Sequence, residues 1–183
     1  MQERVLVLGL GNPILTDDAV GLLVAREVRQ RIGSGVHVAE ASVAGFDLIE
    51  AFSGYDRVIV IDSIRTPGGS PGAVYLLASE DLPATERLTG AHEIDLATAI
   101  ALGRRLGLHM PHTVRIVAVE VQDNRTFGES CTPEVARSID SAVELVLDEI
   151  LFKSRRLIRS RIETCNRGAI SALQRREVES ARP

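Results

Sequence analysis

Short apolar runs rich in β-branched residues alternate with longer segments of helical periodicity, and this alternation constrains the fold more than any other feature. Runs such as RVLVLG, RVIVID and VRIVAV are typical of strands buried on both faces of a parallel sheet. The pattern predicts strands over Arg4–Gly9, Val36–Glu40, Arg57–Asp62, Ala73–Leu77 and Val114–Val119. It predicts helices over Asp17–Ile32, Gly45–Phe52, Glu93–Leu106 and Pro133–Phe152.

One connection is too short for the crossover that joins parallel strands. Only TPGGSPG separates the third predicted strand from the fourth, so we expect the fourth strand to run antiparallel at an edge of the sheet. Before the last helix, Thr132 is a suitable N-cap and Pro133 a suitable first helical residue.

Composition narrows the class of protein. The 183 residues, 45% of them hydrophobic, suit one domain with a real core. No run reaches the roughly 18–20 apolar residues of a membrane span, and the N-terminus lacks the pattern of a signal peptide, so we expect a cytoplasmic protein without a membrane partner. The cysteines Cys131 and Cys165 are too few for a disulfide framework, and we expect idle thiols.

Charge divides the chain into two parts. Residues 1–150 carry a net charge of −10, whereas residues 151–183 carry +6. An acidic body with 3% aromatic residues does not suit nucleic-acid binding. We therefore predict a single α/β catalytic domain over residues 1–152 and a basic extension over residues 153–183. The extension is interpreted as a solvated segment, with a docking arm for an acidic partner as the alternative.

The first strand leads into the segment GLGNPILTDDAVG, which at first suggests a nucleotide-binding turn. That hypothesis fails because Ile14 stands where a third glycine is needed, Pro13 lacks an amide hydrogen, and two carboxylates would repel a pyrophosphate. Capping of the following helix accounts for Asp17. It does not account for Asp18, which indicates a cation site.

Two further residues belong at the same edge of the predicted sheet. Asp62 closes an apolar strand at the carboxyl edge, where open α/β folds bind ligands, although a turn-forming role is the alternative. His92 opens the third helix, and Leu96 excludes an HExxH zinc motif. Together Asp18, Asp62 and His92 form an incomplete oxygen and nitrogen donor set suited to nickel, zinc or manganese. The other histidines, His37, His109 and His112, are interpreted as structural.

The combination of GLGNPILTDDAVG, the segment EASVAG, VIVIDSI, AHEI and GESCTPEV resembles the nickel–iron hydrogenase maturation endopeptidases. These motifs occur in the right order over residues 4–150. The resemblance implies a three-layer α/β/α sandwich, phosphorylase/hydrolase-like, around a five-stranded, mostly parallel sheet with one antiparallel edge strand. It also implies removal of a C-terminal extension from the hydrogenase large-subunit precursor after nickel insertion. Catalytic and nickel-contacting roles then fall to Asp18, Asp62 and His92.

The sequence departs from this family in small ways. Asp18 stands where some members have Glu, Glu40 where Asp is common, and Ala19 where Gly is frequent. These departures leave every ligand type in place. They bear on which hydrogenase is the substrate.

Two other functions compete. A peptidyl-tRNA hydrolase also opens with a strand and GLGNP, but no histidine precedes His37 here and the acidic body disfavours tRNA. A nickel-binding metallochaperone without protease activity could use the same three ligands. For a protease, we expect the nickel to arrive with the precursor and the free enzyme to be largely metal-free. No Ser/His/Asp or Cys/His order supports an acyl-enzyme, because Ser63 and Cys131 lack an evident base.

Overall fold

The described part of the chain, residues 3–42, 46–78 and 96–151 of a computed structural model, contains the five strands and four helices that the sequence predicts. The strands are β1 (Val5–Leu10), β2 (Val36–Ala41), β3 (Arg57–Ile64), β4 (Val74–Ala78) and β5 (Thr113–Glu120). The helices are α1 (Val20–Arg31), α2 (Asp47–Phe52), α3 (Leu96–Arg105) and α4 (Pro133–Leu151). In these residues no helix has the length and apolar character needed to cross a membrane.

The strands form one sheet in the order β2-β1-β3-β5-β4. The first three pairs are parallel, and β4 pairs antiparallel with β5 at the edge, as predicted. Because β1 and β3 are neighbours, the segments that follow them leave the sheet side by side. In the pairing with β1 the register ends at Gly9 opposite Ile61, whereas β3 continues beside β5 through Asp62 and Ser63.

Helices cover both faces of the sheet. On β3, Val58, Val60 and Ile64 face the core shared with α2 and α3, whereas Ile59 and Ile61 face the core shared with α1 and α4. This alternation follows from the two-residue period of a strand. The result is the expected three-layer α/β/α sandwich with a mostly parallel sheet.

The start of α1 corrects one prediction. The helix begins at Val20 rather than at Asp17, and its N-cap residue Ala19 makes no side-chain capping hydrogen bond. The carboxylate of Asp17 is not used as a cap because backbone and side-chain donors of residues 122–132 bind it. The segment before α1 therefore stays in turns.

The start of α4 agrees with its prediction at the backbone level. The helix begins at Pro133, and the carbonyl of Thr132 accepts the first helical hydrogen bond, from the amide of Ala136 at 2.9 Å. The hydroxyl of Thr132 donates to Asp17 at 3.1 Å, so the long segment between β5 and α4 is tied to the segment before α1.

Candidate active site

Two glycines place the start of α1 directly against the sheet. A Cβ on Gly9 would lie 2.4 Å from the carbonyl oxygen of Gly21, and a Cβ on Gly21 would lie 2.2 Å from the carbonyl oxygen of Leu10 and 2.5 Å from that of Ile61. Such distances leave no room for a side chain. The first turn of α1 thus lies across the carboxyl ends of β1 and β3, and Asp18, just before it, reaches the edge where ligands bind in open α/β folds.

Asp18 is held through both of its carboxylate oxygens. The backbone amide of Asn12 donates to Oδ2 at 3.0 Å, and the hydroxyl of Ser63 donates to Oδ1 at 2.9 Å. The residue is 8% exposed. Each carboxylate oxygen of Asp18 thus accepts one hydrogen bond and retains a lone pair for a further partner.

Asp62 is near enough to this carboxylate for the charge of Asp18 to act on it, and it is 6% exposed. Its Oδ1 accepts a hydrogen bond from the amide of Ser63 at 2.7 Å. Burial raises the pKa of Asp62 to about 8, with a further contribution from the negative charge of Asp18 and an opposing one from the Ser63 amide. Asp62 therefore carries a proton near neutral pH, which it can give up to a base or release to solvent when a cation binds the carboxylate.

The structure brings together Asp18 and Asp62 of the three residues predicted for the site. The third, His92, lies outside the described residues. Across residues 3–42, 46–78 and 96–151, no three His, Cys, Asp or Glu side chains are grouped so as to hold a metal ion. The described part of the site is thus a pair of carboxyl groups, one of them protonated near neutral pH.

The other three histidines lie elsewhere. His37, at the start of β2, contacts the hydroxyl of Tyr55, and His109, before β5, pairs with Asp56 at 2.8 Å. His112 contacts the hydroxyl of Thr113 at 3.1 Å. These positions are at the amino edge of the sheet, away from the carboxyl pair.

Asp17 has a role that the sequence interpretation missed. The residue has no exposed surface, and it accepts hydrogen bonds from the amides of Gln122, Asp123 and Thr132 at 2.7–3.1 Å as well as from the Thr132 hydroxyl. Its own amide donates to the carbonyl of Asp123 at 2.9 Å. Asp17 fixes the segment that carries Asp18 to the loop after β5. No local pattern indicates this contact, because its partners lie more than 100 residues along the chain.

Glu120 is a second buried carboxyl group that sequence reasoning did not single out. It ends β5, is 1% exposed, and accepts hydrogen bonds from the amide of Thr66 at 2.6 Å and from its hydroxyl at 2.8 Å. Burial raises the pKa of Glu120. A Cβ on Gly69 would meet the Glu120 carboxyl at 2.2 Å, so the loop after β3 closes tightly over it. The available signal was a charged residue ending the apolar run VRIVAV.

Two possible nucleophiles have unsuitable surroundings. Burial raises the pKa of Cys131 to about 11, with the charge of Asp17 adding to the shift, so its reactive thiolate is scarce at neutral pH. Ser63 has no exposed surface, and its hydroxyl donates to Asp18. The other cysteine, Cys165, lies outside the described residues. The geometry therefore favours attack by water over attack by either of these side chains.

A model of the family described as hydrogenase maturation protease matches residues 21–149 of this sequence. The chain belongs to the hydrogenase maturation protease family. The family named in the sequence resemblance is thereby confirmed, and with it an enzyme that is a hydrolase and an endopeptidase.

Individual relatives agree over most of their length. Hydrogenase 2 maturation protease of Escherichia coli is 30% identical over 148 residues, which cover 79% of this chain and 88% of that protein. Hydrogenase expression/formation protein HupD of Bradyrhizobium diazoefficiens is 29% identical over 165 residues, covering 84% and 83%. The structure of the hydrogenase maturating endopeptidase HybD from E. coli superposes with a TM-score of 0.71 at 28% identity, covering 82% of this chain and 94% of that one. The fold is thus that of a solved maturation endopeptidase.

Proposed function

We propose that this endopeptidase removes the C-terminal extension of a nickel–iron hydrogenase large-subunit precursor after nickel insertion, and that it recognises the nickel carried by the precursor. Relatives with this fold are named hydrogenase maturation proteases. The observation that carries the proposal is the pair of nearly buried carboxyl groups of Asp18 and Asp62 at the carboxyl edge of the sheet.

The donor set explains why the metal is assigned to the substrate. Asp18 and Asp62 supply oxygen ligands, and His92 is proposed to supply a nitrogen ligand. Three such donors leave the coordination of a divalent ion incomplete and bind it weakly alone. Nickel already held by cysteine thiolates of the precursor would complete the shell. The free enzyme is then largely metal-free, and docking tests whether nickel is present.

The same residues account for hydrolysis beside the nickel. Water adds to the carbonyl carbon of the scissile peptide bond, the bond to nitrogen breaks, and the leaving amine takes a proton. Either the nickel polarises that carbonyl or a carboxylate of the pair accepts the proton of the attacking water. Asp62 is suited to proton exchange because its pKa of about 8 lies near neutral pH.

The decisive experiment compares two forms of one substrate. Purified enzyme is mixed with nickel-free and with nickel-loaded large-subunit precursor, in the presence of a mild chelator that removes free ions. We expect a shortened large subunit only from the loaded precursor, because only that form completes the donor set. The mass of the product measures cleavage and locates the bond that is cut.

Three outcomes separate the parts of the proposal. Equal cleavage of both precursor forms contradicts nickel recognition and leaves an ordinary protease. Intact mass for every loaded precursor, with nickel retained by the complex, contradicts proteolysis and favours a nickel-binding module instead. If nickel added to the enzyme is enough for cleavage of the nickel-free precursor, delivery of the metal by the substrate is contradicted.

A further inference from the structure

We propose that Ser63 is a positioning residue for the cleavage reaction, and that it acts by orienting the carboxylate of Asp18. This inference rests on the proposed function, since it assigns a role within the same site. Ser63 directly follows Asp62 on β3, and its hydroxyl donates to Oδ1 of Asp18 at 2.9 Å.

The alternation of side chains along β3 shows on which side of the strand this contact lies. Odd-numbered residues of the strand, such as Ile59 and Ile61, face the core under α1 and α4, and even-numbered ones, such as Val58 and Val60, face the core under α2 and α3. Ser63 therefore belongs to the α1 side and Asp62 to the α3 side. The hydrogen bond from Ser63 therefore ties the carboxylate of Asp18 to the α1 side of β3.

A second donor completes the orientation of Asp18. The amide of Asn12 binds Oδ2 at 3.0 Å, so the two donors approach the two oxygens of one carboxylate. An aspartate side chain has two rotatable bonds, and two donors on separate strand ends fix both. Loss of the Ser63 hydroxyl leaves the Asn12 contact alone, and the carboxylate then samples orientations that do not face an incoming substrate.

Ser63 itself cannot touch that substrate. The residue has no exposed surface, so its hydroxyl acts through Asp18 and not as a nucleophile. Its amide also donates to Asp62 at 2.7 Å, but a backbone donor survives any substitution except proline. Replacement of the side chain therefore removes the hydrogen bond to Asp18, while the backbone hydrogen bond to Asp62 is kept.

The chain offers a matched control in Ser138. This serine is also buried, at 6% exposed, and its hydroxyl donates to the carbonyl of Val135 at 2.7 Å within α4. Ser63→Ala and Ser138→Ala each delete one buried hydroxyl, but only the first removes a contact to Asp18. A structural cost of deleting a buried hydroxyl is common to both variants.

The test measures kcat and KM on nickel-loaded precursor at a temperature where melting curves show wild type and variants to be folded. We expect Ser63→Ala to lower kcat on the order of tenfold with KM within about twofold, since one hydrogen bond to the Asp18 carboxylate is lost. Ser138→Ala keeps the wild-type kcat. Ser63→Thr retains the hydroxyl, and a folded Ser63→Thr protein recovers most of the lost kcat.

The contrary results are equally definite. A folded Ser63→Ala protein with wild-type kcat overturns the proposal, as does a Ser138→Ala protein that loses as much kcat. A folded Ser63→Thr protein as slow as Ser63→Ala also counts against it. If Ser63→Thr does not fold, the comparison of the two alanine variants decides alone. Wild-type enzyme that leaves the loaded precursor intact contradicts the proposed function instead.

Discussion

At the scale of single residues, the neighbours Asp17 and Asp18 show how surroundings separate two identical side chains. Asp17 has no exposed surface and receives four hydrogen bonds from the segment over residues 122–132. Asp18 receives two and lies beside Asp62 at the edge of the sheet. The carboxylate of Asp17 therefore stabilises the fold, whereas that of Asp18 keeps lone pairs that can bind a further partner.

Asp17→Asn tests the structural role of the first carboxylate. An amide of the same size presents its NH2 group to one or more of the four donors that Asp17 accepts, so buried donors face each other. We expect the free energy of unfolding to fall by about 2–4 kcal/mol. Urea unfolding of both proteins measures the change, and equal midpoints with equal slopes contradict this assignment.

Asp62→Asn tests the chemical role of Asp62 in the candidate active site. The change keeps size and hydrogen bonding but removes the exchangeable proton and the anion, so we expect cleavage of loaded precursor to fall by at least about 100-fold. His92→Ala is expected to do the same. A variant at Asp62 that processes precursor at the wild-type rate contradicts the site assignment.

The pH dependence of stability gives an independent measurement on Asp62. The folded pKa of about 8 lies above the ordinary value of 3.8, so between these values the folded protein binds more protons than the unfolded chain. The stabilisation from this group is complete below the lower value and is lost as pH rises through the upper one, with a slope of up to about 1.4 kcal/mol per pH unit. Asp62→Asn removes the dependence, so the variant gains stability over wild type between about pH 5 and about pH 8. Parallel stability curves contradict the raised pKa.

The sequence predicts that Asp18 and Asp62 lie at one edge of the sheet, because strand ends and helix starts converge there in this class of fold. The role predicted for Asp17 is wrong, since capping rules consider only the next few residues, whereas the donors come from beyond β5. For Ser63 the sequence indicates no evident base. The contact with Asp18 depends on the register of β1 beside β3, which no local pattern specifies.

At the scale of elements, strand and helix positions were predictable because the buried strands are continuous apolar runs, whereas the helices have apolar residues at helical spacing. The parallel core strands and the antiparallel edge strand follow from the run composition and from one short connection. The start of α1 was wrong by three residues. There the backbone of residues 13–19 is determined by long-range hydrogen bonds and by the close approach of Gly21 to two strands.

Gly21→Ala tests that close approach. An added methyl group meets the backbone carbonyls of Leu10 and Ile61 at 2.2 and 2.5 Å, and backbone cannot rotate away as a side chain can. We expect α1 to be displaced and the free energy of unfolding to fall by about 2–4 kcal/mol. Gly33→Ala is the matched control, because no atom lies within 4 Å of its added Cβ. Equal melting temperatures for the two variants contradict the packing argument.

At the scale of the whole molecule, the candidate site and the end of α4 lie at opposite edges of the sheet. Arg57, the first residue of β3, donates to the carbonyls of Glu149 at 2.8 Å and Ile150 at 3.2 Å near the end of α4. The last turn of α4 is therefore fixed at the amino edge, whereas Asp18 and Asp62 lie at the carboxyl edge. Leu151, the last residue of α4, thus lies at the edge remote from the candidate site.

Truncation after Phe152 tests the proposed division of the chain at this scale. Among residues 3–42, 46–78 and 96–151, both core clusters are assembled from positions up to Ile150, and the hydrogen bonds given for Asp18 and Asp62 come from β3 and from the segment after β1. We therefore expect the truncated protein to melt cooperatively and to cleave loaded precursor with the wild-type kcat. Calorimetry and the cleavage assay measure the two quantities, and loss of the cooperative transition contradicts a self-sufficient domain. KM is then compared at low and high salt, because the extension carries a charge of +6. An electrostatic contact between the extension and the precursor weakens as salt rises, so removal of such a contact raises KM only at low salt.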